Sequence, residues 1–232
     1  MAKTKLLDTC PVAVTAGKLI LEGDLCVPPA ASGVVVFAHS SGSSRHNPRN
    51  QYIAQVLRQS GLATLLFDLL TDEEEKNDLK TGRYRFDIRT LANRLVGTSQ
   101  WLKQNGETKD LNIGYFGTGN GAAAALVAAA EHPTDIGAVV SRGGRPDLAR
   151  LALPYVKAPT LLIVSGRDLP VMAMNRDAFA ELRAEKKTVV IPGVTHLEDP
   201  GALEEVAREA ANWFANYLNR KVPFSTGITT AG

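Results

Sequence analysis

Short apolar runs alternate with longer amphipathic stretches along most of the chain. Residues 33–39 read Gly-Val-Val-Val-Phe-Ala-His, a β-branched run with no polar alternation, as expected of a strand covered on both faces of a parallel sheet. Asn47 and Pro48 supply an N-cap and a proline suited to a first helical position. Tyr52, Ile53, Val56 and Leu57 give the following helix an apolar face, and Gly61 stops it. Residues 62–67 form the next strand. A polar stretch through residue 84 reads as a solvated loop, its acidic run Asp72-Glu73-Glu74-Glu75 answered by Lys76 and Lys80. Ile88, Leu91, Leu95 and Leu102 then fall on one side of a long helix.

Residues 112–116, 136–141, 160–165 and 188–191 are further strands. An alanine-rich helix over 121–130 and a closing helix over 202–218 lie among and after them, the latter with a core stripe of Leu203, Val206, Ala210, Trp213 and Tyr217. Repeated strand–helix alternation predicts an α/β domain, a mostly parallel central sheet with helices on both faces. The beginning differs: 12–14 and 19–27, separated by Ala16-Gly17, form an antiparallel hairpin at the sheet edge. No linker, repeat or shift of composition divides the chain. Residues 1–222 are expected to be a single domain and 223–232 a loosely ordered tail.

With 232 residues, 44% of them hydrophobic, the chain can bury one sizeable core. A net charge of +2 predicts no strong attraction to nucleic acid or to an anionic membrane. No apolar stretch approaches the ~20 residues of a membrane span, and Met-Ala-Lys-Thr-Lys leads into mixed sequence with no secretory pattern. Cys10 and Cys26 fit neither a metal spacing nor a disulfide framework. Cytoplasmic residence is the expectation.

Ligands of an open α/β sheet bind beyond the carboxyl ends of its strands, so the loops after the strands matter most. After Phe116 comes Gly117-Thr118-Gly119-Asn120-Gly121. Strand, tight glycine turn and small-residue helix is the setting of a G-x-S-x-G nucleophile elbow, but the central position holds Gly119. After Ser165 comes Gly166-Arg167-Asp168, and after Ile191 comes Pro192-Gly193-Val194-Thr195-His196. Elbow, acid and histidine stand in the chain order of a hydrolase triad. The glycine turn also suggests a dinucleotide fingerprint, yet its third glycine arrives one residue early for G-x-G-x-x-G and no acidic partner follows.

On these segments, together with His39-Ser40-Ser41-Gly42-Ser43-Ser44-Arg45, the chain resembles the α/β-hydrolase superfamily, in particular small dienelactone-hydrolase-like proteins. The resemblance runs from about Leu19 to Leu218. It implies an α/β-hydrolase fold with Asp168 as triad acid and His196 as triad base. The N–H groups of Asn120 and Ser41 would form an oxyanion hole, and the substrate would be a small ester or lactone. Two positions depart from the family pattern: Gly119 stands where a serine or cysteine is expected, and Ser40 where a glycine commonly follows the histidine.

Glycine cannot attack a carbonyl, so the ordinary acyl-enzyme route through position 119 is closed. Two alternatives remain. Ser40 replaces the missing hydroxyl from the facing loop, forming Ser40-His196-Asp168, a paired exchange that would suit a redesigned site. Otherwise the site is inactive or very weak and binds a small acyl or anionic ligand. Thr118 is expected to point to the opposite side of the turn, and His39 to hold its loop. His46 and His132 are expected at the surface. Asp68 is expected to cap a loop or line the pocket, and Arg45 to anchor its loop or bind an anion. Arg142 is a substrate-binding candidate, with Arg145 beside it. No metal or organic cofactor is implied, and the oligomeric state is not legible.

Overall fold

The structure, a computed structural model, describes residues 9–40 and 42–219. Its centre is one eight-stranded sheet in the order β1-β2-β4-β3-β5-β6-β7-β8. β1 (Cys10–Ala16) and β2 (Leu19–Cys26) form the expected edge hairpin, and β2 runs antiparallel to β4 (Ala63–Phe67). From β4 onward all pairings are parallel: β3 (Gly33–Ala38), β5 (Asn112–Thr118), β6 (Ile136–Arg142), β7 (Thr160–Ser165) and β8 (Lys186–Ile191). β3 and β7 are buried along their whole length, which is why their sequences show no polar alternation. The residues expected to form a tail, 223–232, lie outside the described residues.

Helices cover both faces. α1 (Pro48–Gln59) and α6 (Pro200–Leu218) pack on one side, where Phe37, Phe116, Ile163, Val206 and Phe214 share a core. On the other side Val36, Tyr115, Leu91, Leu95 and Leu126 bring α3 (Ile88–Gln104) and α4 (Asn120–Glu131) together. α4 is mostly alanine because it lies very close to the sheet: a Cβ on Gly121 would fall 2.1 Å from the carbonyl oxygen of Ala38, and one on Gly117 would fall 2.4 Å from Ala122 Cα. Neither position admits a side chain.

Two features differ from the sequence expectation. The acidic stretch is no loop: α2 spans Asp72–Thr81 and opens with a capping box between Thr71 and Glu74. Four carboxylates in its first turn complement the positive end of the helix dipole, and Glu74 also pairs with the buried Arg94, which donates to Leu69 O as well. That partner lies 20 residues away and is invisible to a local charge count. A helix α5 (Leu169–Glu181) also stands between β7 and β8, capped by Asp168, whose carboxylate accepts from Val171 N at 3.2 Å.

Candidate active site

The turn from β5 into α4 has the geometry of a nucleophile elbow. Gly119 sits at its apex with φ 51° and ψ −125°, a backbone conformation that L side chains adopt only under strain. A Cβ built there would lie 3.0 Å from Ser40 Cβ and 3.9 Å from Ser40 Oγ. The Ser40 side chain therefore faces the apex across the gap between the two loops.

A polar cavity of about 350 Å³ opens at this point, lined by Ser40, Gly119, Asp168 and His196. These residues come from the ends of β3, β5, β7 and β8, so the carboxyl-end rule places the pocket correctly. Arg142, at the end of β6, also lines it.

The hydrogen bonds of a working triad are not formed among these side chains. Among the described residues, no hydrogen bond or ion pair joins Ser40 to His196 or His196 to Asp168. His196 is exposed and Asp168 half-buried, with one carboxylate oxygen engaged in capping α5. Ser40 is anchored through its backbone, its N–H donating to Thr118 Oγ1 at 3.1 Å. Thr118 lines the cavity, which corrects the expectation that it points away: its hydroxyl is turned inward by that bond. Asn120 directs its side-chain amide to Arg85 O. Its backbone N–H belongs to the first turn of α4, where helix donors have no intrahelical partner. Ser41 lies outside the described residues.

The remaining candidates separate cleanly. His39 is 6% exposed, with Nδ1 3.1 Å from Ser40 O and Nε2 3.5 Å from Asp68 Oδ1. Asp68 is a loop anchor: it accepts Arg45 N–H at 2.8 Å and pairs with the Arg45 guanidinium, and it is not among the cavity residues. Burial opposes its ionisation, but the neighbouring His39 and the hydrogen bonds from Arg45 hold its carboxyl below the ordinary value. Arg45 itself binds Asp68 and Glu22, while Arg145 pairs with Asp147 away from the cavity. His46 and His132 are at the surface.

Arg142 is 5% exposed and donates to Glu198 Oε1 at 2.6 Å. Burial pulls its pKa below the ordinary guanidinium value; Glu198 opposes that shift and the like charge of Arg49 adds to it. Arg49, Asn50 and Glu198 line the cavity as well, and none of them was singled out by sequence. Arg49 and Asn50 follow the Asn47 cap in the first turn of α1, the one local signal that could have drawn attention to them. Asn50 is 4% exposed. The cavity thus offers a serine hydroxyl, an imidazole and two guanidiniums beside the carboxylates of Asp168 and Glu198, a set suited to a small polar ligand. Among the described residues no group of three His, Cys, Asp or Glu side chains could hold a metal ion, and no helix is long and apolar enough to cross a membrane.

The comparisons agree with this architecture. A crystal structure of dienelactone hydrolase from Anabaena variabilis is 58% identical, with a TM-score of 0.89 over 91% of this chain and 99% of that one. Est1E from Butyrivibrio proteoclasticus shares the fold at 14% identity, with a TM-score of 0.71 over 88% of this chain and 99% of its own. Two Mycobacterium tuberculosis proteins, provisionally named phosphoribosyl transferases, are 52% identical over 208 residues, which is 89% of this chain and 46% of theirs. The chain therefore spans about half the length of these curated relatives. The profile of the dienelactone hydrolase family matches residues 21–217, and the chain belongs to that family.

Proposed function

We propose that the chain is a carboxylic ester hydrolase for small polar esters or lactones, with the nucleophile moved from position 119 to Ser40. The observation that carries this reading is the 3.0 Å approach of a position-119 Cβ to Ser40 Cβ. The serine on one loop takes up the space that a side chain on the other would need. In the proposed reaction Ser40 Oγ attacks the acyl carbon and His196 takes its proton. Asp168 orients the imidazole, and the backbone N–H groups of Asn120 and Ser41 receive the oxyanion. Collapse expels the alkoxide, which recovers the proton from His196, and water then releases the acid by the same route. Arg142 and Arg49 would hold an anionic substituent of the substrate. The chemistry is the same whether the exchange of serine and glycine arose naturally or by design.

Catalysis by this route requires His196 to close on both Ser40 and Asp168, a tightening that substrate commonly brings about. The absence of those bonds among the described residues favours a second reading: a hydrolase scaffold that binds a small acyl or anionic ligand and turns it over slowly, with His196 activating water. Labelling with a fluorophosphonate followed by peptide mapping separates the two. An adduct on Ser40 that disappears in Ser40→Ala and in His196→Ala supports the moved nucleophile, and no adduct with ligand binding intact supports the second reading. Cytoplasmic residence and independence of cofactors are part of the proposal.

A further inference from the structure

The sheet ends at β8, and the two sides of that strand are bonded very differently. Thr160 N–H donates to Glu185 O at 2.9 Å and Gly166 N–H donates to Ile191 O at 2.8 Å. In a parallel ladder the N–H and C=O of one residue point to the same side, and successive residues alternate. Glu185, Lys187, Val189 and Ile191 therefore face β7, while Lys186, Thr188 and Val190 turn their backbone groups outward. No strand lies beyond β8 among the described residues.

Exposed edges of this kind are usually blocked by lysine, proline or a bulge. Here both lysines are engaged within the molecule: Lys186 Nζ donates to Phe179 O and Leu182 O, and Lys187 Nζ to Glu209. β8 contains no proline or glycine, whereas β1, at the opposite edge, contains Pro11. Beside the open edge, Val164, Leu169, Met172, Phe179, Thr188 and Val190 line an apolar groove of about 430 Å³. Leu169 is 70% exposed and Val190 44% exposed. Free backbone groups and exposed apolar side chains thus coincide on one border of the molecule.

We propose that two copies of this chain pair through their β8 edges, antiparallel about a two-fold axis at Thr188. With Thr188 opposite its own counterpart, Lys186 of each copy stands opposite Val190 of the other. All three outward residues then exchange hydrogen bonds, and no lysine meets a lysine. The contact is self-complementary and closes after two copies. It extends the sheet continuously and sets the two apolar grooves side by side on one face. Pairing to β1 instead would make an open head-to-tail chain and would have to pass Pro11.

The test is sedimentation equilibrium of the full 24.8 kDa chain across a concentration series, with hydrogen exchange read at Thr188 and Val190. The expected result is a species of twice that mass, with both amides protected. Thr188→Pro removes one outward N–H without touching the β7 ladder, and Val190→Lys places a charge in the groove. Each should weaken association at least tenfold while circular dichroism stays unchanged. If Thr188→Pro fails to fold, Val190→Lys alone decides. A monomer at the highest soluble concentration overturns the proposal, and so does a dimer whose mass and amide protection are indifferent to Val190→Lys.

Discussion

Restoring a serine at the elbow apex is the most informative single change. Gly119 has φ 51°, so any side chain there carries backbone strain of about 1–3 kcal/mol. Its Cβ would also meet Ser40 Cβ at 3.0 Å, and crowding of that kind costs roughly 1–3 kcal/mol when neighbours cannot yield. Ser40 is only half-buried, so the lower end applies to the crowding, and Gly119→Ser should destabilise by about 2–4 kcal/mol. At roughly 2–4 °C per kcal/mol for a domain of this size, Tm should fall on the order of 5–15 °C. Ser40→Gly in the same chain removes the contact but leaves the strain, so the double variant should regain about 1 kcal/mol. Thermal unfolding of the wild type, both single variants and the double variant gives the coupling directly. An unchanged Tm in Gly119→Ser would refute the apex conformation, and a coupling of zero would refute the exchange of space between the two loops.

Gly121→Ala sets a Cβ 2.1 Å from the Ala38 carbonyl oxygen; it should cost more than about 4 kcal/mol, seen as loss of folded protein or a large drop in urea midpoint. Glu74→Ala leaves the buried Arg94 without its carboxylate, and denaturant unfolding should show a loss of about 3–5 kcal/mol. Burial works against ionisation of Glu74 and Asp68, yet hydrogen bonds hold both carboxyls below their ordinary values in the folded chain. Their stabilisation is therefore complete at neutral pH and is lost as pH falls below about 4.5 and through the folded values; a urea midpoint that stays level down to pH 3 would contradict this. Asp168→Asn keeps a capping residue at α5 and should change stability by less than about 0.5 kcal/mol, while any ester hydrolysis falls; Asp168→Ala should lower both. Thr118→Val removes the acceptor of Ser40 N–H and should cost about 1 kcal/mol, with slower fluorophosphonate labelling as its second readout.

The strands were legible because a doubly covered strand is apolar along its centre, and 34–38 and 161–164 carry that signature without a polar residue. The start signal of α2 is in the sequence, since Thr71 followed three residues later by Glu74 is a capping box, but it lies within a run of carboxylates that equally suits a solvated loop. What secures that helix, the Glu74–Arg94 pair, depends on tertiary contact that local sequence does not carry. The convergence of the loops bearing Ser40, Gly119, Asp168 and His196 followed from strand order, since each loop leaves the same end of the sheet. The hydrogen bonds within the site did not follow, because they depend on side-chain torsions a few ångströms apart. Thr118 shows the same limit: the bond to Ser40 N that turns it inward joins residues 78 apart.

The three glycines of the elbow are not interchangeable. The outer two, Gly117 and Gly121, abut main chain of α4 and of the end of β3 respectively, so substitution there would pry the helix from the sheet. The middle one meets only the tip of a loop. Variation is thus confined to the single spot where reactivity is decided, and a lineage could exchange one reacting group for another there while the hinge that presents it stays intact.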